Sequence, residues 1–241
     1  MKKGIILLIV TFYLTTQPWG QSNALLRFNS AHFVIYHSDH IAHRWVEKVS
    51  TLLEDGYDSM GKIFGHYPKR IIPVRIYDRT WEFTKATKMP YHTGAVYDGS
   101  LNIQHPRTIE RLGDLKSILS HEYTHLLLDE ICGGKVKLWL SEGLAVYMAG
   151  QNPVTTYRTK IKSFKDLEGL LTKGKSRNEK LFAYKVSLSV AKRLFAMKPW
   201  EDILLFLRKL ARGRPFHILF YEAFKMKLAD FEEEALKNFR H

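Results

Sequence analysis

Apolar positions along the chain fall into two regimes. As far as about residue 106 they gather in short runs between turn-forming residues, and beyond it they recur at three- and four-residue steps. In the first regime Phe33-Val34-Ile35-Tyr36, behind the polar pair Asn29-Ser30, predicts a strand, and residues 71–77 predict a second. Pro73 puts that second strand at a sheet edge or near its own start, because proline has no N–H to give to a ladder. Gly94-Ala95-Val96-Tyr97 and Leu101-Asn102-Ile103 flank Asp98-Gly99, a turn pair that predicts a tight hairpin. Between the first two strands Ile41, Trp45, Val49, Leu52, Met60 and Ile63 keep a helical period, with Gly65 and Pro68 as stop signals. A short helix is predicted over 79–87.

In the second regime one helix is predicted over 109–130, ending before Gly133-Gly134, and another from near Ser141. Four amphipathic helices follow over 163–172, 181–196, 199–212 and 217–238. Strands first and helices second imply an α+β fold, with a strand-rich part over 27–106 and a helical part over 107–241. No internal repeat interrupts this order. With 5 Trp, 12 Tyr and 14 Phe among 241 residues, the aromatic load must be buried, which excludes a disordered chain.

Residues 1–22 stand apart from this pattern. Lys2 and Lys3 precede an apolar run over 4–14, and Pro18-Trp19-Gly20-Gln21-Ser22 returns to turn-forming and polar types, the order of a secretory signal. The run is shorter than the ~20 residues a spanning helix needs. The expectation is a signal peptide over 1–22, cut between residues 20 and 24, and an exported domain over 23–241 that is periplasmic or secreted. Left uncut, the same segment would be a membrane tether.

Two features of composition narrow the chemistry. Cys132 is the only cysteine, so neither an internal disulfide nor a cysteine-built zinc site is available. The net charge of +13 suits nucleic acid, anionic lipid or an acidic envelope polymer. The basic residues are scattered, however, densest over Lys160, Lys162, Lys165, Lys173, Lys175, Arg177 and Lys180. No RNA-binding or zinc-finger spacing occurs among them, so no specific nucleic-acid partner is expected. They read as a solvated surface, with contact to an anionic envelope surface as the other reading.

His121-Glu122-Tyr123-Thr124-His125 is the pattern H-E-x-x-H. Residues four apart on a helix share a face, so both imidazoles can reach one ion. Neutral imidazoles are strong zinc ligands, and Glu122, beside the first of them, can take a proton from a water that the metal has made acidic. Trp139-Leu140-Ser141-Glu142-Gly143-Leu144-Ala145 then follows the Gly133-Gly134 reversal. A helix, a turn and an antiparallel helix would return Glu142 to the two histidines. Two histidines and a glutamate, with a fourth position left open, form the ligand set of a catalytic Zn²⁺ site.

H-E-Y-T-H followed by W-L-S-E-G-L-A resembles the gluzincin metallopeptidases, and among them the bacterial peptidase-MA-like domain. The likeness extends through Phe33-Val34-Ile35-Tyr36, the long helix, Val74-Arg75-Ile76-Tyr77 and Gly94-Ala95-Val96-Tyr97, and covers most of 23–241. It implies a zincin-like fold, Zn²⁺ on His121, His125 and Glu142, Glu122 as general base, and a peptide or protein substrate. Gly94 and Ala95 match the edge strand that pairs with substrate backbone in such enzymes. Tyr184 matches a downstream tyrosine able to donate a hydrogen bond to the oxyanion; the plainer reading is a half-buried helix tyrosine. Val146 departs from the thermolysin-like pattern, which has an Asp there to orient a ligand histidine, so the orienting partner must come from elsewhere. The resulting expectation is a zinc-dependent metallopeptidase. The other reading is a catalytically inactive zinc-binding envelope module.

Overall fold

The computed structural model describes residues 25–240, and the expected signal peptide lies outside them. The chain begins with two antiparallel strands, β1 (Leu26–Asn29) and β2 (Phe33–His37). Helix α1 (His43–Phe64) crosses from β2 to β3 (Ile72–Ile76), which pairs parallel to β2. Helix α2 (Thr80–Thr87) leads to the hairpin β4 (Ala95–Tyr97) and β5 (Leu101–Ile103). The five strands lie in the order β1-β2-β3-β5-β4, a small mixed sheet with β4 at one edge. Among the described residues eight further α-helices and a short 3-10 helix (Lys237–Phe239) follow, so the α+β division holds. Among the described residues no helix is long and apolar enough to cross a membrane.

Pro73 does not mark an edge strand, since β3 is the middle strand of the sheet. It is the second residue of β3 and pairs with Val34. The Ile72 N–H bonds the His32 carbonyl on the β2 side, at 2.9 Å. Alternation therefore turns the nitrogen of residue 73 toward β5, where pairing begins only at Val74 and Leu101. The missing donor falls where no acceptor waits. Strand β1 is an addition to the elements predicted; mostly exposed, it lacks the alternation that marks a half-buried strand.

The sheet is covered by α1 and a long central helix. Val46, Val49, Leu53, Tyr57, Met60 and Phe64 form the buried stripe of α1, and Gly65 ends it with φ 55°. The predicted helix over 109–130 is broken in two, α3 (Pro106–Leu112) and α4 (Leu115–Cys132). Gly113 ends the first and Asp114 caps the second, its carboxylate accepting the Ser117 N–H at 2.7 Å. Phe33 of β2 meets Tyr57 of α1 and Tyr123 of α4, at ring-centroid distances of 6.4 and 6.2 Å. Helix α4 is buried on nearly all sides, which is why its apolar residues show no single stripe.

Helix α5 (Leu138–Met148) begins before the predicted start near Ser141. Lys137 precedes it without a side-chain cap, so no local signal marks the boundary. Then come α6 (Phe164–Lys173), α7 (Arg177–Met197) and α8 (Trp200–Leu210). Helix α7 starts ahead of residue 181 because Ser176 and Glu179 form a reciprocal capping box. The predicted helix over 217–238 is also two, α9 (Phe216–Phe224) and α10 (Leu228–Leu236), broken where Lys225 turns left-handed at φ 54°. Trp139 at the start of α5 stacks on Phe164 at 4.1 Å and lies beside Phe216 and Phe231. That aromatic cluster anchors α5 to the C-terminal helices. Gly143 lets α5 approach α7 closely: a Cβ there would lie 2.4 Å from the Ser187 carbonyl oxygen.

Candidate metal centre

Both histidines of the H-E-x-x-H pattern project from one face of α4, their Nε2 atoms 3.1 Å apart. At the end of α4, Gly133 and Gly134 take φ of 59° and 70°, left-handed values that glycine adopts without steric cost. The chain reverses there, and α5 brings Glu142 to the pair. Its Oε2 lies 3.4 Å from His121 Nε2 and 3.5 Å from His125 Nε2. Bond lengths of about 2.0–2.1 Å to a tetrahedral ion require ligand atoms roughly 3.3 Å apart. The three separations match that requirement.

The hydrogen bonds around the imidazoles suit one tautomer of each ring. Gln151 donates its Nε2–H to the Ser117 carbonyl at 3.3 Å, which leaves Oε1 to accept from His121 Nδ1 at 3.1 Å. Ser141 Oγ lies 2.9 Å from His125 Nδ1 and can accept its proton. With each Nδ1 donating outward, each Nε2 turns a lone pair inward. Glu142 Oε2, buried and without a hydrogen-bond partner, faces both. With both rings neutral in this tautomer, three acceptors would converge, an arrangement that a cation relieves. His121, His125 and Glu142 form a group able to hold a metal ion.

The electrostatics follow from burial. Burial pushes the Glu142 carboxyl up, but the His125 charge and close contacts to both imidazoles outweigh it and hold Glu142 well below the usual carboxylate range. Glu122 is 8% exposed and is pushed up to about 7, chiefly by burial. His121 opposes that rise, the Glu142 charge adds to it, and the backbone N–H of Tyr97 opposes it. The Tyr97 N–H donates to Glu122 Oε2 at 2.8 Å. That bond ties strand β4 to the carboxylate beside the metal group.

The site opens into a cavity of about 980 Å³ bordered by β4, α4, α5 and α7. Gly94 and Ala95 border it, and their backbones face opposite ways. The Gly94 carbonyl accepts from Gln104 within the hairpin. The antiparallel register, Ala95 opposite Ile103 and Tyr97 opposite Leu101, puts the backbone polar groups of Ala95 and Tyr97 on the free edge of β4. Tyr184, on α7, borders the same cavity with its ring 5.9 Å from that of His121. Burial, then the Glu142 and Glu122 charges, raise its phenol well above the ordinary value, so it stays a protonated donor.

Three contributors to the site escape sequence reasoning. Ser141 and Gln151 supply the orientation that residue 146 does not, and Val146 itself is fully buried. Ser141 stands beside Glu142 in sequence, a weak signal, whereas Gln151 follows the left-handed Gly150 and carries none. Tyr97 acts through its N–H, invisible in any side-chain pattern. Asp129 and Glu130 do not touch the histidines of the site: Asp129 accepts from the Tyr97 hydroxyl at 3.1 Å, and Glu130 binds His66 and Arg70. A scan of protein-family models finds no match to this chain, and a search of curated proteins finds none either.

Proposed function

We propose that this chain is a zinc metallopeptidase of the gluzincin type, with a zincin-like fold, that hydrolyses peptide bonds outside the cytoplasm. The observation that carries the reading is the convergence of His121, His125 and Glu142 at tetrahedral spacing, with Glu122 beside them and the free edge of β4 alongside. Bound to these three residues, Zn²⁺ supplies Lewis acidity that polarises a carbonyl and acidifies water. Three ligands leave a position open, as a catalytic site requires; a structural site would be closed by a fourth.

The chain's own residues do the rest. An extended substrate adds to the edge of β4 through the backbone groups of Ala95. Glu122 takes the proton of the attacking water and passes it to the departing amine. The Tyr184 hydroxyl donates to the oxygen that gains charge as the tetrahedral state forms. Helix α7 closes one side of the cleft and limits bulk water there.

Incubation of a proteome-derived peptide pool with zinc-loaded wild type and with the Glu122→Gln variant tests the proposal. Cleavage by wild type that falls by at least ~100-fold in the variant is expected, the usual effect of losing a general base. Zinc bound equally by both proteins, with cleavage by neither, would instead make the chain an inactive zinc-binding module.

A further inference from the structure

The cleft is electrically polar along β4. Where β4 ends, Asp98 and Asp129 border the cavity. Where β4 begins, the bordering residues are His92 and, from the first turns of α7, Arg177 and Lys180. Burial and the charges of Arg177 and Lys180 together disfavour protonation of the His92 ring, so the three groups lie close enough to act on one another. The Glu142 charge also acts on Lys180, and the two residues border the same cavity.

His92 and Lys180 retain the capacity to bind. His92 Nε2 is buried with no hydrogen-bond partner. Lys180 donates to the Leu171 carbonyl, and an ammonium has three protons to give. Glu179, next in sequence, acts on Lys180 by its charge, but its carboxylate is turned to the N–H groups of Lys175 and Ser176 at 2.8 Å each and does not border the cavity. Of the dense basic stretch over 160–180, these two side chains are the ones that border the cleft. A peptide is negative at its carboxyl end and positive at its amino end. Laid along β4 so that unlike charges meet, it runs antiparallel to the strand, its carboxyl-terminal side against His92, Arg177 and Lys180.

We infer that His92, Arg177 and Lys180 form a carboxylate-binding subsite, which takes an acidic side chain or a free C-terminal carboxylate on the carboxyl side of the scissile bond. This rests on the peptidase reading for the position of the bond, but the subsite itself can be read without catalysis. Lysine and arginine donors to a carboxylate make charge-assisted hydrogen bonds, the stronger kind.

Three randomised peptide pools separate the sources of the carboxylate: amidated without Asp or Glu, amidated with Glu, and free at the C-terminus without Asp or Glu. Binding of each pool to full-length zinc-loaded Glu122→Gln protein reads the subsite alone, and cleavage by zinc-loaded wild type reads it in turnover. At least one carboxylate-bearing pool should bind and be cleaved roughly 10-fold better than the neutral pool. That ratio should shrink toward one in Lys180→Met and Arg177→Gln backgrounds. Damage to the fold lowers all pools together and leaves the ratio in place, which separates a structural effect from lost selectivity. Equal binding of the three pools by the Glu122→Gln protein, or a ratio that survives both substitutions, overturns the subsite. Cleavage of nothing by wild type, with the binding ratio intact, overturns the peptidase reading and leaves the subsite standing.

Discussion

Ser141 and Gln151 stand outside the His121, His125 and Glu142 group, yet each holds a ring by its Nδ1 and so turns the other nitrogen inward. Removing such a partner frees the ring to rotate and lowers its basicity, at a usual cost of 10- to 100-fold in metal affinity. Ser141→Ala and Gln151→Ala are each expected to weaken zinc binding by about that factor, read by competition with a chromophoric chelator. Unchanged affinity in both would mean the rings are held by packing alone. Tyr184 makes a different prediction, because its phenol stays protonated beside the site. Tyr184→Phe should lower kcat by roughly 10- to 1,000-fold with little change in KM or zinc content, as for loss of one oxyanion donor. A shift confined to the melting temperature would make it a packing residue. Cys132 is fully buried, and burial, helped by the Asp129 charge, pushes its thiol up to about 12. At pH 8 almost none is thiolate, and thiolate is the reactive form. Iodoacetamide should therefore modify Cys132 only after unfolding; rapid labelling of the native protein would contradict its burial.

Among the elements, Gly143 shows how tightly the helices that carry the site are set. A methyl group at this position would meet the Ser187 carbonyl oxygen at 2.4 Å and Ala191 Cβ at 3.1 Å. Alanine gains about 1 kcal/mol over glycine in helix propensity, but overpacking costs about 1–3 kcal/mol, and here the obstacle is backbone. Gly143→Ala should lower the melting temperature and, by shifting α5, weaken zinc binding; a variant more stable than wild type would show that α5 and α7 can part without cost. The His121, His125 and Glu142 group was legible in the sequence because a four-residue step and a paired-glycine reversal are local signals with one geometric outcome. The orienting residues were not, since Gln151 reaches His121 only through tertiary structure. Element boundaries failed for similar reasons. The break at Asp114 lies inside an apolar rhythm that runs on through it, and the break at Lys225 depends on a left-handed lysine that no turn-forming residue announces. Pro73 marks the start of its strand, one of its two readings, and not an edge, because its position in the ladder, rather than its strand's place in the sheet, decides whether a donor is missed.

At the scale of the whole molecule the sheet supplies an edge, the central helix supplies the two histidines and α5 the glutamate, and the helical half closes the cleft opposite β4. The division into strands and then helices could be read from the change in hydrophobic period. The cavity could not, because it is defined by four elements distant in sequence. If residues 1–22 act as a cleaved signal, N-terminal sequencing of the protein isolated from its native cells should begin between residues 21 and 24, in a fraction outside the cytoplasm. An intact N-terminus in the soluble cytoplasm would contradict export, and one in membranes would favour the tether. Every catalytic step proposed rests on one group, His121, His125 and Glu142. The most direct test is the zinc content of purified wild type and of the His121→Ala/His125→Ala double variant, with folding of each checked by circular dichroism. The account predicts one zinc per wild-type chain, lost in the folded double variant, and zinc retained by that variant would contradict it.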